Sequence, residues 1–270
     1  MVVNKKSVIV VGGGHAGVEA ASAAARLGCE VLLVTHKKES IGQMSCNPAI
    51  GGIGKSHLAR EVDALGGLMA RAADASGIHY RILNATKGQA VRATRVQTDR
   101  DLYRKAIQNL LKQTKGVKII EASVEDLLIN KEKTTGVVLE GGKQIKAEKV
   151  ILTTGTFLDG VMHTGSKREP GGRIGDPPSK RLAKKLKDLP FRYGRLKTGT
   201  PPRLDGRTIG WKRLEEQEGD RPTPKLSYEE SNNKRPKQVS CYITRTTEKT
   251  HKIITEALHE SPLFTGAIEG

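Results

Sequence analysis

At 270 residues, with 36% hydrophobic residues, 30 glycines and a formal charge of +17, the chain has the length for one large domain or two ordinary ones. The charge calls for a polyanionic partner, nucleic acid being the commonest, because each phosphate neutralised releases a counterion; read alone, it suits a lysine-coated surface equally well. Aromatic residues at 3% weigh against single-strand binding on an aromatic platform, and three widely spaced cysteines (Cys29, Cys46 and Cys241) weigh against a disulfide scaffold or a structural zinc site.

The opening MVVNKKSVIVVGGG has too short an apolar core for a signal peptide, and no run approaches the roughly 18 apolar residues of a membrane span. The expected setting is reducing and cytoplasmic, with no membrane partner. Residues 7–11, SVIVV, predict a buried parallel strand, and Gly12, Gly13, Gly14, His15, Ala16 and Gly17 follow at once. This is Gly-x-Gly-x-x-Gly directly after a strand. Residues 18–28, alanine-rich and closed by glycine, predict a tightly packed helix, and residues 30–35 a second strand. In such a unit Gly12 makes the turn, Gly14 lets the backbone approach a pyrophosphate, and Gly17 allows close helix-to-strand packing under the positive end of the helix dipole. The acidic residue that should close the second strand is missing: Thr35, His36, Lys37 and Lys38 stand there, with Glu39 late. Basic residues in that place suit a 2′-phosphate, which keeps NADP open beside FAD, and they read equally as a solvated loop.

Residues 45–56, SCNPAIGGIGKS, end in Gly-Lys-Ser as a P-loop does. The leading glycine of that pattern is replaced by Ala49 behind Pro48, and residues 35–44 are mostly polar, with no strand to feed the turn. An NTP site is therefore not expected. Residues 101–112 carry apolar side chains at helical spacing, and residues 117–120 read as the strand after them. Residues 123–129, 135–139, 144–147 and 149–153 are short strands between turns, a β-meander returning to the parallel sheet.

From residue 166 to 213 the chain is basic and rich in Gly and Pro, a composition suited to phosphate contacts, with Arg173, Lys197 and Arg203 the leading nucleic-acid candidates. Part of that charge is the solvated face of a helix over residues 178–189, with Leu182 and Leu186 inward. Residues 214–238, polar and carrying Pro222, Pro224 and Pro236, predict a long loop or a partly disordered linker. Residues 247–259 predict a last helix capped by Thr247 with Thr250.

Two blocks, GGGHAGVEAA at 12–21 and GQMSCNPAIGGIGKSHLAREVDALGGLMARAAD at 42–74, resemble the tRNA uridine 5-carboxymethylaminomethyl modification enzymes, the MnmG (GidA) family. The likeness continues through residues 82–95, 155–160, 171–179, 194–203 and 241–244, so it covers essentially the whole chain. The folate-dependent tRNA methyltransferases share the glycine fingerprint without the SCNPAIGGIGK block. The resemblance implies an α/β fold: a Rossmann-like FAD-binding domain of the glutathione-reductase type over residues 1–198, then the start of an inserted second α/β domain over 199–270. Family members are longer, so the chain is expected to be the N-terminal portion of such a protein.

The resemblance further implies that Gly12, Gly13, Gly14, His15, Ala16, Gly17, Asn47, Val124 and Ser179 hold FAD, that Cys46 is the catalytic thiol, and that no metal takes part. SCNPAIGGIGKS then becomes a loop beside the isoalloxazine, in which Lys55 and His57 are close enough in sequence to lower the pKa of Cys46, while Cys29 and Cys241 read as core. The implied reaction adds a carboxymethylaminomethyl or aminomethyl group at carbon 5 of the wobble uridine of tRNA. It uses methylenetetrahydrofolate and NADH, together with the GTPase MnmE, in a full-length homodimer. Two other classes stay open: a non-catalytic basic fragment that binds FAD or tRNA only, and an NADP-dependent oxidoreductase.

Overall fold

A computed structural model describes residues 6–45, 47–165, 167–230 and 234–268. The chain divides into two compact units, Met1–Gly155 with Glu218–Ser240, and Thr156–Gln217 with Cys241–Gly270. The boundary expected between residues 198 and 199 falls inside the second unit.

In chain order the first unit holds β1 (Ser7–Val11), α1 (His15–Arg26), β2 (Glu30–Thr35), β3 (Ala49–Gly51), α2 (Lys55–Ala64), α3 (Met69–Ser76), β4 (Gly77–Leu83), β5 (Ala93–Thr98), α4 (Arg100–Gln113), β6 (Val117–Glu121), β7 (Val124–Asn130), β8 (Lys133–Leu139), β9 (Gln144–Lys146) and β10 (Lys149–Leu152). Four of these strands make a wholly parallel sheet in the order β10-β1-β2-β6. All five residues of β1 are buried, as a central strand covered on both faces requires. Helix α1 turns Val18, Ala21 and Ala25 into the core with Val10, Leu33 and Ile107. Its small side chains let it lie close against the strands. As expected, β7, β8 and β9 form an antiparallel meander before β10 rejoins the parallel sheet beside β1.

Between β2 and α4 the chain builds a second layer that the sequence did not announce: the antiparallel sheet β3-β5-β4 and helices α2 and α3. Residues 36–44 hold no strand, in keeping with their polar composition; the strand that does precede Gly-Lys-Ser is the three-residue β3, inside the glycine block itself. It exists because Ile50 packs fully buried opposite Val96 of β5. Only Gly52, Ile53 and Gly54 separate β3 from α2, and the Lys55 ammonium donates to the Ala49 carbonyl at 3.2 Å, so no phosphate cradle forms.

Of residues 214–238, read as a long loop or partly disordered linker, 215–217 form a short strand; the described residues of 218–240 are irregular and docked. Buried Asp74 accepts from the Leu226 and Ser227 amides at 2.9–3.1 Å, and Asp63 accepts from the Ser227 hydroxyl at 2.8 Å and the Tyr228 amide at 2.7 Å. Asp220 and Val239 donate their amides to the carbonyls of Tyr80 and Ile78 on β4. Two carboxylates and a strand edge thus order a segment whose composition lacks the apolar content to order itself.

The second unit holds the hairpin β11 (Val161–Thr164) and β12 (Lys167–Pro170), helix α5 (Lys180–Lys187), the antiparallel pair β13 (Glu215–Gln217) and β14 (Cys241–Ile243), and helix α6 (Glu248–Glu256). On α5 Leu182 is fully buried and Leu186 half-buried, in keeping with the expected inward face. Helix α6 opens on Thr247, which exchanges capping bonds with Thr250.

Candidate cofactor site

The site begins where β1 ends. Gly12 stands at φ +108°, a conformation that L side chains rarely adopt, and its amide donates to the Val34 carbonyl at 2.8 Å. A Cβ on Gly12 would lie 2.3 Å from the Thr153 carbonyl oxygen, and one on Gly17 would lie 1.8 Å from the Gly12 carbonyl oxygen. Packing alone therefore demands glycine at both places. Gly14 is different: φ is −75°, which any residue adopts, and a Cβ there meets nothing within 4 Å. Nothing in the described chain requires glycine at 14, and the open space lies at the start of α1. That helix begins with no side-chain cap and no acidic residue in its first turn, so its leading amides and the positive end of its dipole are available to an anion.

His15 is the first residue of α1. Its Nε2 is shielded from solvent and has no hydrogen-bond partner among the described residues, and its ring lies 5.5 Å from that of Tyr103 on α4. Burial, then the nearby Lys55 charge, lowers the imidazole pKa to about 4, so His15 is neutral at pH 7. Burial, then the charge of Glu19, pushes the Tyr103 phenol well above its ordinary range.

The end of β2, which carries no acidic residue of its own, has one beside it across the sheet. The parallel register sets Thr35 at the end of β2 beside Glu121 at the end of β6, and the Lys38 amide donates to Glu121 Oε2 at 2.8 Å. Reading along the chain missed this residue because the neighbour that matters is 86 positions away in sequence. Val124, first in β7, is buried.

Cys46 lies outside the described residues. The chain on either side of it is braced: Arg100 Nη2 donates to the Met44 carbonyl at 2.5 Å, the Thr98 amide to the Pro48 carbonyl at 2.7 Å, and Lys55 to Ala49 as above. Asn47 is exposed. His57 Nδ1 accepts from the Gly54 amide at 3.2 Å, which leaves the hydrogen on Nε2, 3.0 Å from the Ala90 carbonyl. His57 and Lys55 are thus bonded to backbone carbonyls and amides of their own neighbourhood, a use the sequence reading did not foresee.

In the second unit Ser179 is the N-cap residue of α5; its amide donates to the Phe157 carbonyl at 2.8 Å and its hydroxyl makes no capping bond. Arg173 Nε donates to Asp176 at 2.6 Å and its guanidinium lies 5.6 Å from the Phe157 ring centre, with only 17% of the side chain exposed. Its charge is spent inside its own turn. Lys197 and Arg203 are exposed on a stretch without helix or strand, and 15 Lys and Arg stand against 7 Asp and Glu between residues 156 and 217. Among the described residues no group of His, Cys, Asp and Glu is placed to hold a metal ion, and no helix is long and apolar enough to cross a membrane.

Residues 7–270 match the family described as Glucose inhibited division protein A. The chain is 44% identical to Aquifex aeolicus GidA, seen in two crystal forms: form II gives a TM-score of 0.89 over 97% of this chain and 44% of that one, and form I gives 0.91 over 99% and 45%. The chain thus spans less than half the length of that relative. The GidA-related protein from Thermus thermophilus is 21% identical, with a TM-score of 0.50 over 70% of each chain, a likeness of fold alone.

Proposed function

The chain belongs to the Glucose inhibited division protein A family, and from that premise we propose that it forms the FAD-binding and RNA-facing part of a tRNA-modifying flavoprotein. The observation that carries this reading is Gly14: a glycine that the described fold does not need, next to open space at an uncapped helix N-terminus. A pyrophosphate fits there, its oxygens taking the first amides of α1, from Gly14 to Gly17, with His15 uncharged beside it. Gly13, Ala16, Asn47, Val124 and Ser179 complete the proposed cofactor set. FAD, when bound, supplies the redox chemistry of one-carbon transfer to the base.

The chain's own residues bind and orient. Cys46 is proposed as the thiol that attacks the base or moves its proton; of the described residues near it in sequence, Met44 is held by Arg100, Pro48 by Thr98 and Ala49 by Lys55. Lys197 and Arg203 are proposed phosphate contacts; Arg173, already paired with Asp176, is no longer a leading candidate. The finer reaction is the addition of a carboxymethylaminomethyl or aminomethyl group at carbon 5 of the wobble uridine. Methylenetetrahydrofolate and NADH are the co-substrates, and MnmE the partner. The Glu121 carboxylate disfavours the NADP reading, since it would repel a 2′-phosphate.

A titration of the folded chain with FAD, and separately with tRNA at rising salt, tests the proposal. Saturable binding of both supports it. Binding of RNA without FAD leaves only a basic RNA-binding module, and binding of NADP with no FAD leaves the oxidoreductase.

A further inference from the structure

We infer that Glu121 replaces the missing acidic residue of β2 and holds the ribose of the adenosine half of FAD, an inference that rests on the FAD reading above. In a strand–turn–helix–strand unit that binds a dinucleotide, the ribose hydroxyls reach the carboxyl end of the second strand and meet a carboxylate there. Along the chain that place holds Thr35, His36, Lys37 and Lys38, none of which is an anionic acceptor.

Across the sheet the situation changes. The parallel pairing of β2 with β6 sets Glu121 level with Thr35, and the Ala122 amide donates to the Thr35 carbonyl at 2.9 Å, which ties the two strand ends together. The Lys38 amide then fixes the Glu121 carboxylate at the turn that leaves β2. A carboxylate offers about four lone-pair sites, so one bonded amide leaves acceptor capacity for two ribose hydroxyls. The same negative charge sets specificity: it accepts from a free 2′-hydroxyl and repels a 2′-phosphate. The basic pair Lys37 and Lys38, which by sequence suits NADP, thus flanks an acidic group that selects against it.

The test is an equilibrium titration with FAD of the wild-type chain, E121A and E121Q, with displacement by ADP and by 2′-deoxy-ADP, and a thermal melt of each variant. E121A is expected to weaken FAD binding roughly 10- to 100-fold, the range for hydrogen bonds to a charged group. The wild-type preference for ADP over 2′-deoxy-ADP is expected to vanish with it. If E121A binds FAD as tightly as the wild type, or keeps that preference, the assignment of Glu121 is overturned while the FAD reading stands. If the wild type takes up no FAD, the FAD reading fails and this inference fails with it. Should E121A melt far below the wild type, E121Q decides, since it keeps an acceptor for Lys38: a reduced preference for ADP supports the assignment, and an unchanged one overturns it.

Discussion

Gly14→Ala and Gly17→Ala place the same methyl group three residues apart and are expected to fail in opposite ways. At Gly17 the new Cβ would lie 1.8 Å from the Gly12 carbonyl oxygen and 2.8 Å from Thr153 Oγ1, where neither backbone nor a bonded hydroxyl can give way. Overpacking of that kind costs about 2–4 kcal/mol, which lowers Tm by roughly 5–15 °C in a chain of this size. At Gly14 the Cβ meets nothing and φ is −75°, so the gain from a stiffer unfolded chain and the small loss of an N-cap glycine roughly cancel, to within about 1 kcal/mol. The methyl group there instead fills the space assigned to the pyrophosphate. Thermal melts without FAD, followed by FAD titration, separate the two effects. Gly14→Ala should melt with the wild type and lose at least tenfold in FAD affinity, as misplacing a bidentate anion at a helix terminus implies. Undiminished FAD binding by Gly14→Ala, or a wild-type Tm for Gly17→Ala, would refute the geometry.

Three further outcomes follow from the same structure. His15 titrates near 4 in the folded chain against an ordinary 6.5, so its contribution to stability is full above about pH 6.5 and is lost as pH falls toward 4, by up to about 3 kcal/mol; urea melts at pH 7 and pH 4.5 should show a smaller loss in His15→Gln than in the wild type. Asp74→Ala leaves the buried Leu226 and Ser227 amides unpaired at a cost of about 2–5 kcal/mol, and segment 218–240 should become the first site of limited proteolysis. For tRNA, Lys197→Gln and Arg203→Gln should each lower the slope of log K against log salt by about 1, whereas Arg173→Gln should lower Tm and leave the slope unchanged.

The parallel sheet and the meander were legible because their signals are local: β-branched runs such as SVIVV, glycine punctuation, and an alanine-rich helix. Gly12, Gly14 and Gly17 stood out for the same reason, although only the contacts of the folded chain separate the two that packing demands from the one that it does not. What was not legible depends on partners distant in sequence. Glu121 matters through its register with Thr35, the 218–240 segment is ordered by Asp63 and Asp74, and β3 is a strand only because Ile50 packs against Val96. Composition made Arg173 a candidate for phosphate contact, and its pairing with Asp176, three residues on, was not legible from composition. His57 and Lys55 looked like neighbours for a reactive thiol; the bonds of His57 to Gly54 and Ala90 and of Lys55 to Ala49 were not legible, and Cys46 itself lies outside the described residues.

The central claim, that this chain carries a FAD site at the N-terminus of α1, is tested most directly by counting flavin. The folded chain is saturated with FAD, desalted, and assayed for flavin absorbance against protein, with Gly14→Ala alongside. One flavin per wild-type chain and far less on the variant is the expected result. A folded wild-type chain that holds no flavin, or a Gly14→Ala chain that holds as much as the wild type, would contradict it.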